Sequence, residues 1–137
     1  MMLLVWKDEY CTGMERIDHR HRMLVDQLNS LYARLGHDTA QERVTDLLAR
    51  FCRYVDVHFA TEEHLAREGG FPRRELEVHL AEHRAYRMRV EGYRVALHNG
   101  DALASVQLMA FIHYWWVTHI LGANRALGHF LCHGEHV

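Results

Sequence analysis

At 137 residues the chain is long enough to bury a core as one domain without staples. Its 16 basic and 18 acidic residues are mixed along the sequence for a formal charge of −2, which leaves no basic footprint for nucleic acid and no basic tail for a membrane surface. Three cysteines, Cys11, Cys52 and Cys132, are odd in number and lack a C-x-x-C pair, so neither a disulfide framework nor a zinc ribbon is indicated and a reduced, cytoplasmic setting follows, with all three expected to be inert and buried.

The opening Met1-Met2-Leu3-Leu4-Val5 is apolar but is broken at once by Lys7, Asp8 and Glu9, too short for a signal core or a membrane span. An N-terminal arm through about Glu15 gives way to a helical pattern from near Ile17 to Leu35, with Met23, Leu24, Leu28, Leu31 and Leu35 at steps of three and four and Gly36 as its stop. Asp18 is expected to favour the positive start of this helix. Thr39-Ala40-Gln41-Glu42 reads as a capping box that opens a second helix. Its apolar face carries Val44, Leu47, Leu48, Phe51, Val55 and Phe59, and Gly69-Gly70 ends it. Phe71-Pro72 turns the chain into a third helix that runs to about His98. Asn99-Gly100 closes that helix and Asp101 caps a fourth, whose apolar residues extend from Leu108 through Ile112, Trp116 and Ile120 to Phe130. Pro72 is the single proline, and no period-two alternation competes with the helical one. The pattern predicts an all-α, up-down-up-down antiparallel four-helix bundle with an N-terminal arm, one domain over residues 1–137.

Histidine is the compositional outlier, with 13 copies. His58 and Glu62 are four apart, as are His79 and His83, so each pair shares a helical face about one turn apart. His21 falls early in the first helix, His58 and Glu62 late in the second, His79 and His83 early in the third, and His119 late in the fourth. Antiparallel alternation brings early and late positions to the same level of a bundle. Imidazole with carboxylate suits iron, zinc, manganese or copper rather than calcium. Glu63, adjacent to Glu62, is expected to face outward. Trp6, Phe59 and Trp115 read as the apolar wall of a ligand pocket, and Trp116, on a different face from Trp115, as core. His19, His37, His64, His98, His113, His129, His133 and His136 are assigned no metal.

Several of these segments resemble the bacterial hemerythrins. The resemblance lies in the Trp6 arm, Ile17-Asp18-His19-Arg20-His21, His58-Phe59-Ala60-Thr61-Glu62-Glu63, Gly70-Phe71-Pro72 ahead of His79 and His83, and Trp115 through His119-Ile120-Leu121-Gly122. It implies an oxo- or hydroxo-bridged pair of non-haem irons that takes dioxygen or another small diatomic or anionic ligand. His21, His58, His79, His83 and His119 match the histidine ligands, and Glu62 matches a bridging carboxylate. The second bridge of the family is an aspartate five residues after the last histidine, where this chain has Asn124. A neutral amide bridges two cations poorly, which turns the expectation toward oxygen or redox sensing, with a fused or partner signalling domain from which this domain is cut. Oxygen carriage or storage, and an oxidase- or peroxidase-type enzyme, are the alternatives. The carboxylate-poor ligand set favours a binding domain over an enzyme. The stretch from Pro72 to His79 is slightly longer than the family pattern.

Overall fold

A computed structural model describes residues 4–37, 41–101 and 103–133. Helices α1 (Glu15–His37), α2 (Gln41–Glu68), α3 (Arg73–His98) and α4 (Ala104–His119) follow one another, and a π turn at Ile120–Asn124 leads into α5 (Arg125–His133). Consecutive long helices pack side by side, α1 on α2, α2 on α3 and α3 on α4, as short connections require. No strand occurs among the described residues. The all-α bundle expected from the sequence is the fold.

The helix ends follow local chemistry. Gly70, at φ 73°, takes the left-handed conformation that ends α2, and the Phe71 N–H reaches back to the Ala66 carbonyl at 2.9 Å. Gly100, at φ 88°, does the same for α3, with Asp101 N–H on the Ala96 carbonyl at 3.0 Å. Both are glycine-terminated caps in which orphan carbonyls find a donor. Asp101 accepts from the Leu103 N–H at 3.0 Å just ahead of α4, whose cap position is Leu103 rather than the expected Asp101. The Thr39 capping box lies outside the described residues.

The core is a continuous apolar column. Leu28, Leu108, Ile112, Trp116 and Phe59 are fully buried, with Leu24, Leu48 and Val55 close behind. Each such side chain contributes about 1.5–3 kcal/mol relative to exposure. Below this column, Ile17, Ala66 and Leu127 form a second cluster that joins the start of α1, the end of α2 and α5. The candidate metal ligands lie between the two clusters in sequence, so both ends of the bundle hold the helices in register around them.

The N-terminal arm is tied to α1 at two points. Asn29 both accepts from the Leu4 N–H at 2.9 Å and donates to the Leu4 carbonyl at 2.7 Å. Asp18 is buried and accepts from the Thr12 N–H and hydroxyl at 2.7 and 2.8 Å. It sits in the first turn of α1, and its main partner is the arm rather than the helix dipole alone.

Three further expectations are corrected. The fourth helix is not one α-helix through Phe130 but is interrupted by the π turn. Gly36 lies inside α1, whose last residue is His37. The cysteines are not all buried: Cys11 and Cys52 are half-buried, and Cys132 is exposed, its thiol donating to the Gly13 carbonyl at 2.8 Å.

Gly128 of α5 lies directly against the arm. A methyl group there would collide with the Thr12 side chain and stand 2.9 Å from the Thr12 carbonyl oxygen. Gly128→Ala is therefore expected to destabilise the fold by about 1–3 kcal/mol despite alanine's better helix propensity. Thermal unfolding followed by circular dichroism checks this, and an unchanged or raised midpoint would show that the arm yields freely.

Candidate metal centre

Four elements deliver side chains to one buried point. His21 comes from α1, His58 and Glu62 from α2, His79 and His83 from α3, and His119 from the end of α4, and all six are at most 2 % exposed. The i, i+4 spacing of the two pairs sets their donors one turn apart on the same face. The longer Pro72–His79 stretch costs no register, since His79 and His83 both face the site.

Glu62 is the hub. Its Oε2 lies 3.0 Å from His21 Nε2 and 2.8 Å from His58 Nε2. Its Oε1 lies 3.1 Å from His79 Nε2 and 3.3 Å from His83 Nε2, with His119 Nε2 at 3.9 Å. Donor atoms therefore sort into two groups, one of His79, His83, His119 and Glu62, the other of His21, His58 and Glu62. Every imidazole presents Nε2 inward. Two ligands at right angles, each about 2.1 Å from one ion, stand roughly 3.0 Å apart, and the spacings around Glu62 cluster near that value. His58 Nε2 stands 2.8 Å from the carboxylate yet is not aimed at it as a hydrogen bond, as a lone pair directed at a shared third point would be. The donor set fits a pair of cations.

Protonation states agree. Burial lowers the His21 and His83 pKa values, keeping these imidazoles neutral as ligands must be. Burial alone would raise Glu62, but the electrostatic pull of His58 and the close imidazoles of His119 and His21 outweigh it and hold the carboxylate well below its ordinary value.

Two carboxylates beyond the donor ring hold imidazoles in place. Glu82 meets His119 Nδ1 at 2.7 Å, and Glu63 meets His83 Nδ1 at 2.9 Å. Burial lowers His119, but Glu62 and the nearer Glu82 keep it above its ordinary value. The His119 hydrogen bond in turn lowers Glu82. Glu63 thus does not face solvent as expected; it is 18 % exposed and turned inward to α3. Glu82 was missed by sequence reading. Its signal was available: it is three residues after His79 and one before His83, on the flank of α3 next to α4. By contrast His21, His58 and His79 have no partner for Nδ1 among the described residues. The orienting carboxylates therefore serve one half of the site.

Asn124 sits between the halves and is fully buried. In an α-helix, residues five apart point about 140° away from each other. The π turn at Ile120–Asn124 removes that divergence and carries Asn124 round to His119. With Oδ1 toward Glu62 and His119 the amide oxygen meets only acceptors, while Nδ2 lies 2.9 Å from His21 Nε2. Rotated by half a turn, Nδ2 donates to His119 Nε2 and Glu62 Oε1, both at 3.1 Å, and Oδ1 accepts from His21 at 2.9 Å. The second orientation suits protein alone. The first offers a carbonyl donor that only a cation rewards.

The surroundings are apolar. Phe59 stacks on His83 with ring centres 3.7 Å apart, and Trp115 stacks on His119 at 4.3 Å. Trp116 is core, as expected, and donates to the Tyr86 hydroxyl at 3.3 Å. Trp6 does not join this wall. Its ring meets Tyr10 at 5.5 Å and carries the Arg22 guanidinium at 5.3 Å, which anchors the arm to α1. His113 is half-buried and outside the cluster.

Residues 12–130 match the model of the hemerythrin HHE cation binding domain. The chain belongs to the hemerythrin family. It is 31% identical over 128 residues to a bacteriohemerythrin of Stenotrophomonas maltophilia (strain R551-3), covering 92% of this chain and 80% of that one. A bacteriohemerythrin of Clostridium acetobutylicum is 28% identical over 127 residues, or 90% of this chain and 97% of the relative. Among solved structures, crystal structures of two hemerythrin point mutants superpose with TM-scores of 0.82 and 0.84 at 24% identity, covering 93% and 96% of this chain and 96% and 98% of theirs, a likeness of fold. As a hemerythrin the chain is a non-haem di-iron domain that binds dioxygen rather than an enzyme. No helix among the described residues is long and apolar enough to cross a membrane.

Losing an orienting carboxylate weakens a metal site by about 10–100-fold. Glu82→Gln and Glu63→Gln are expected to lower iron affinity by that order while leaving helicity unchanged. Competition with a chelator, followed optically, checks this; affinities equal to the parent would assign both carboxylates to surface packing.

Proposed function

We propose that this hemerythrin domain senses oxygen or redox state, with two irons held by His21, His58, Glu62, His79, His83 and His119 and with Asn124 standing where an anionic bridge would be. The observation that carries the reading is the buried Asn124 amide lodged between the two donor groups. With its carbonyl end turned to the His119 half, Asn124 would serve as a neutral ligand to the three-histidine iron; with the amide rotated by half a turn it would instead hydrogen-bond His119, Glu62 and His21.

The iron pair, when bound, supplies reversible one-electron chemistry and a coordination position for a small ligand. The chain sets the terms. Phe59, Trp115 and Trp116 exclude water from the donor side. Glu62 remains ionised and spans both groups. Glu63 and Glu82 fix His83 and His119, so the three-histidine half is stiffer than the His21–His58 half, which supports ligand entry on the less crowded side. One carboxylate fewer means less stabilisation of the ferric state and a higher reduction potential than an aspartate would give. A site poised in this way reports oxidation rather than carrying oxygen through many cycles, and a signalling domain fused to or associated with this one would read the change.

Two measurements test the reading. Asn124→Asp is expected to tighten iron binding by about 10-fold or more and to lower the reduction potential; identical stoichiometry, potential and visible spectra would remove any special role for Asn124. Mixing the reduced, iron-loaded protein with oxygen separates the functions. A charge-transfer band that decays one way supports sensing by oxidation, whereas a band that persists and reverses on degassing would make this an oxygen carrier or store.

A further inference from the structure

The outward face of α3 is apolar in a way that its own bundle does not use. Val78, Ala81, Ala85, Met88, Gly92 and Val95 alternate at steps of three and four, a strict seven-residue repeat, and every one is exposed. Val78 is 55 % exposed, Met88 76 % and Val95 50 %. The buried face of the same helix, with His79, His83, Tyr86 and Val90, points the opposite way. A repeat of this period over about two and a half heptads suits packing against another helix. Gly92 strengthens the case. It lies mid-helix, where glycine is unfavourable, and a methyl group there would meet nothing within 4 Å inside the chain.

We infer that this seam is a contact between two copies of the chain, with the two α3 helices antiparallel across a two-fold axis between Tyr86 and Arg87. That register sets Val78 against Val95 of the second copy, Ala81 against Gly92, and Ala85 against Met88. Val78 meets Val95 at the ends, Ala85 faces Met88 at the centre, and the Ala81–Gly92 layers let the backbones approach.

The flanking charges choose the direction. Glu77, Arg84 and Glu91 lie on one side of the seam, and Glu82 and Arg89 on the other. A parallel pair would oppose Glu77 to Glu82 and Arg84 to Arg89, repulsion at both levels. The antiparallel pair opposes Arg84 to Glu91 twice; Glu82 and Arg89 come level as well, but Glu82 is held by His119 and Arg89 by the Tyr93 hydroxyl and the Phe111 ring, so the Arg84–Glu91 pairs set the direction. Arg84 is exposed, and the Glu91 carboxylate is 62 % exposed, held only by Arg94 at 3.2 Å in an exposed pair of little worth. A seam about 25 Å long buries less than the area of a standard stable interface, so the dimer is weak and concentration-dependent.

Sedimentation velocity of the iron-loaded full chain, from about 5 to 500 μM, tests this. The parent is expected to shift toward dimer with concentration. Met88→Asp should abolish the shift and Arg84→Glu should weaken association by about tenfold. Adding Glu91→Arg to Arg84→Glu should restore it, with circular dichroism confirming that all variants fold. A parent that stays monomeric throughout overturns the inference. So does tighter association of Arg84→Glu, which would mean a parallel pair. So does a dimer broken by Val106→Asp but not by Met88→Asp, which would move the contact to the exposed apolar face of α4.

Discussion

The structure depends on one buried negative charge. Glu62 is 1 % exposed and is met by imidazoles from all four long helices. A carboxylate in that position without compensation would cost several kcal/mol. Imidazoles that offer lone pairs as ligands would not supply the missing positive charge; cations between them and Glu62 would. The same charge that makes the bare site expensive therefore makes its metal form stable, and couples metal binding to the mutual placement of α1, α2, α3 and α4.

Packing and chemistry share residues here. Phe59 and Trp116 are among the largest fully buried side chains, and the same rings lie against His83 and His58. Truncating either ring would open a cavity in the core and let water reach the donors in one step. At the rim the control is polar instead. Glu82 and Glu63 fix the imidazoles of His119 and His83 through Nδ1, whereas among the described residues no partner holds the Nδ1 of His21 or His58. A centre with one tethered half and one looser half is chemically asymmetric before any ligand arrives.

Much of this was legible from spacing. His58 with Glu62 and His79 with His83 obey the helical period, and the alternation of early and late positions placed His21 and His119 at their level, so the donor set could be read without coordinates. Helix ends at Gly70 and Gly100 were equally plain, because only glycine takes that backbone shape cheaply. What escaped was whatever departs from a regular α-helix or crosses between helices. The π turn has no composition rule strong enough to announce it, so the fourth helix read as unbroken. Glu63 shares no face with His58 along α2, and its bond to His83 depends on how α2 and α3 lie together, which no single-helix period encodes. Trp6 was misplaced for the same reason: its role in the arm depends on Arg22, sixteen residues away on α1.

The π turn and Asn124 belong to one argument. A wide turn sacrifices regular helical bonding and is kept where a side chain must be swung to a particular place. Here it swings Asn124 beside His119 and between the two donor groups, a position that would be wasted on a residue with no part in the site. An amide keeps the geometry of a carboxylate and gives up its charge. The backbone therefore brings a polar side chain to this point, while the amide leaves it neutral, and the difference between this site and one with an aspartate there is electrostatic rather than spatial.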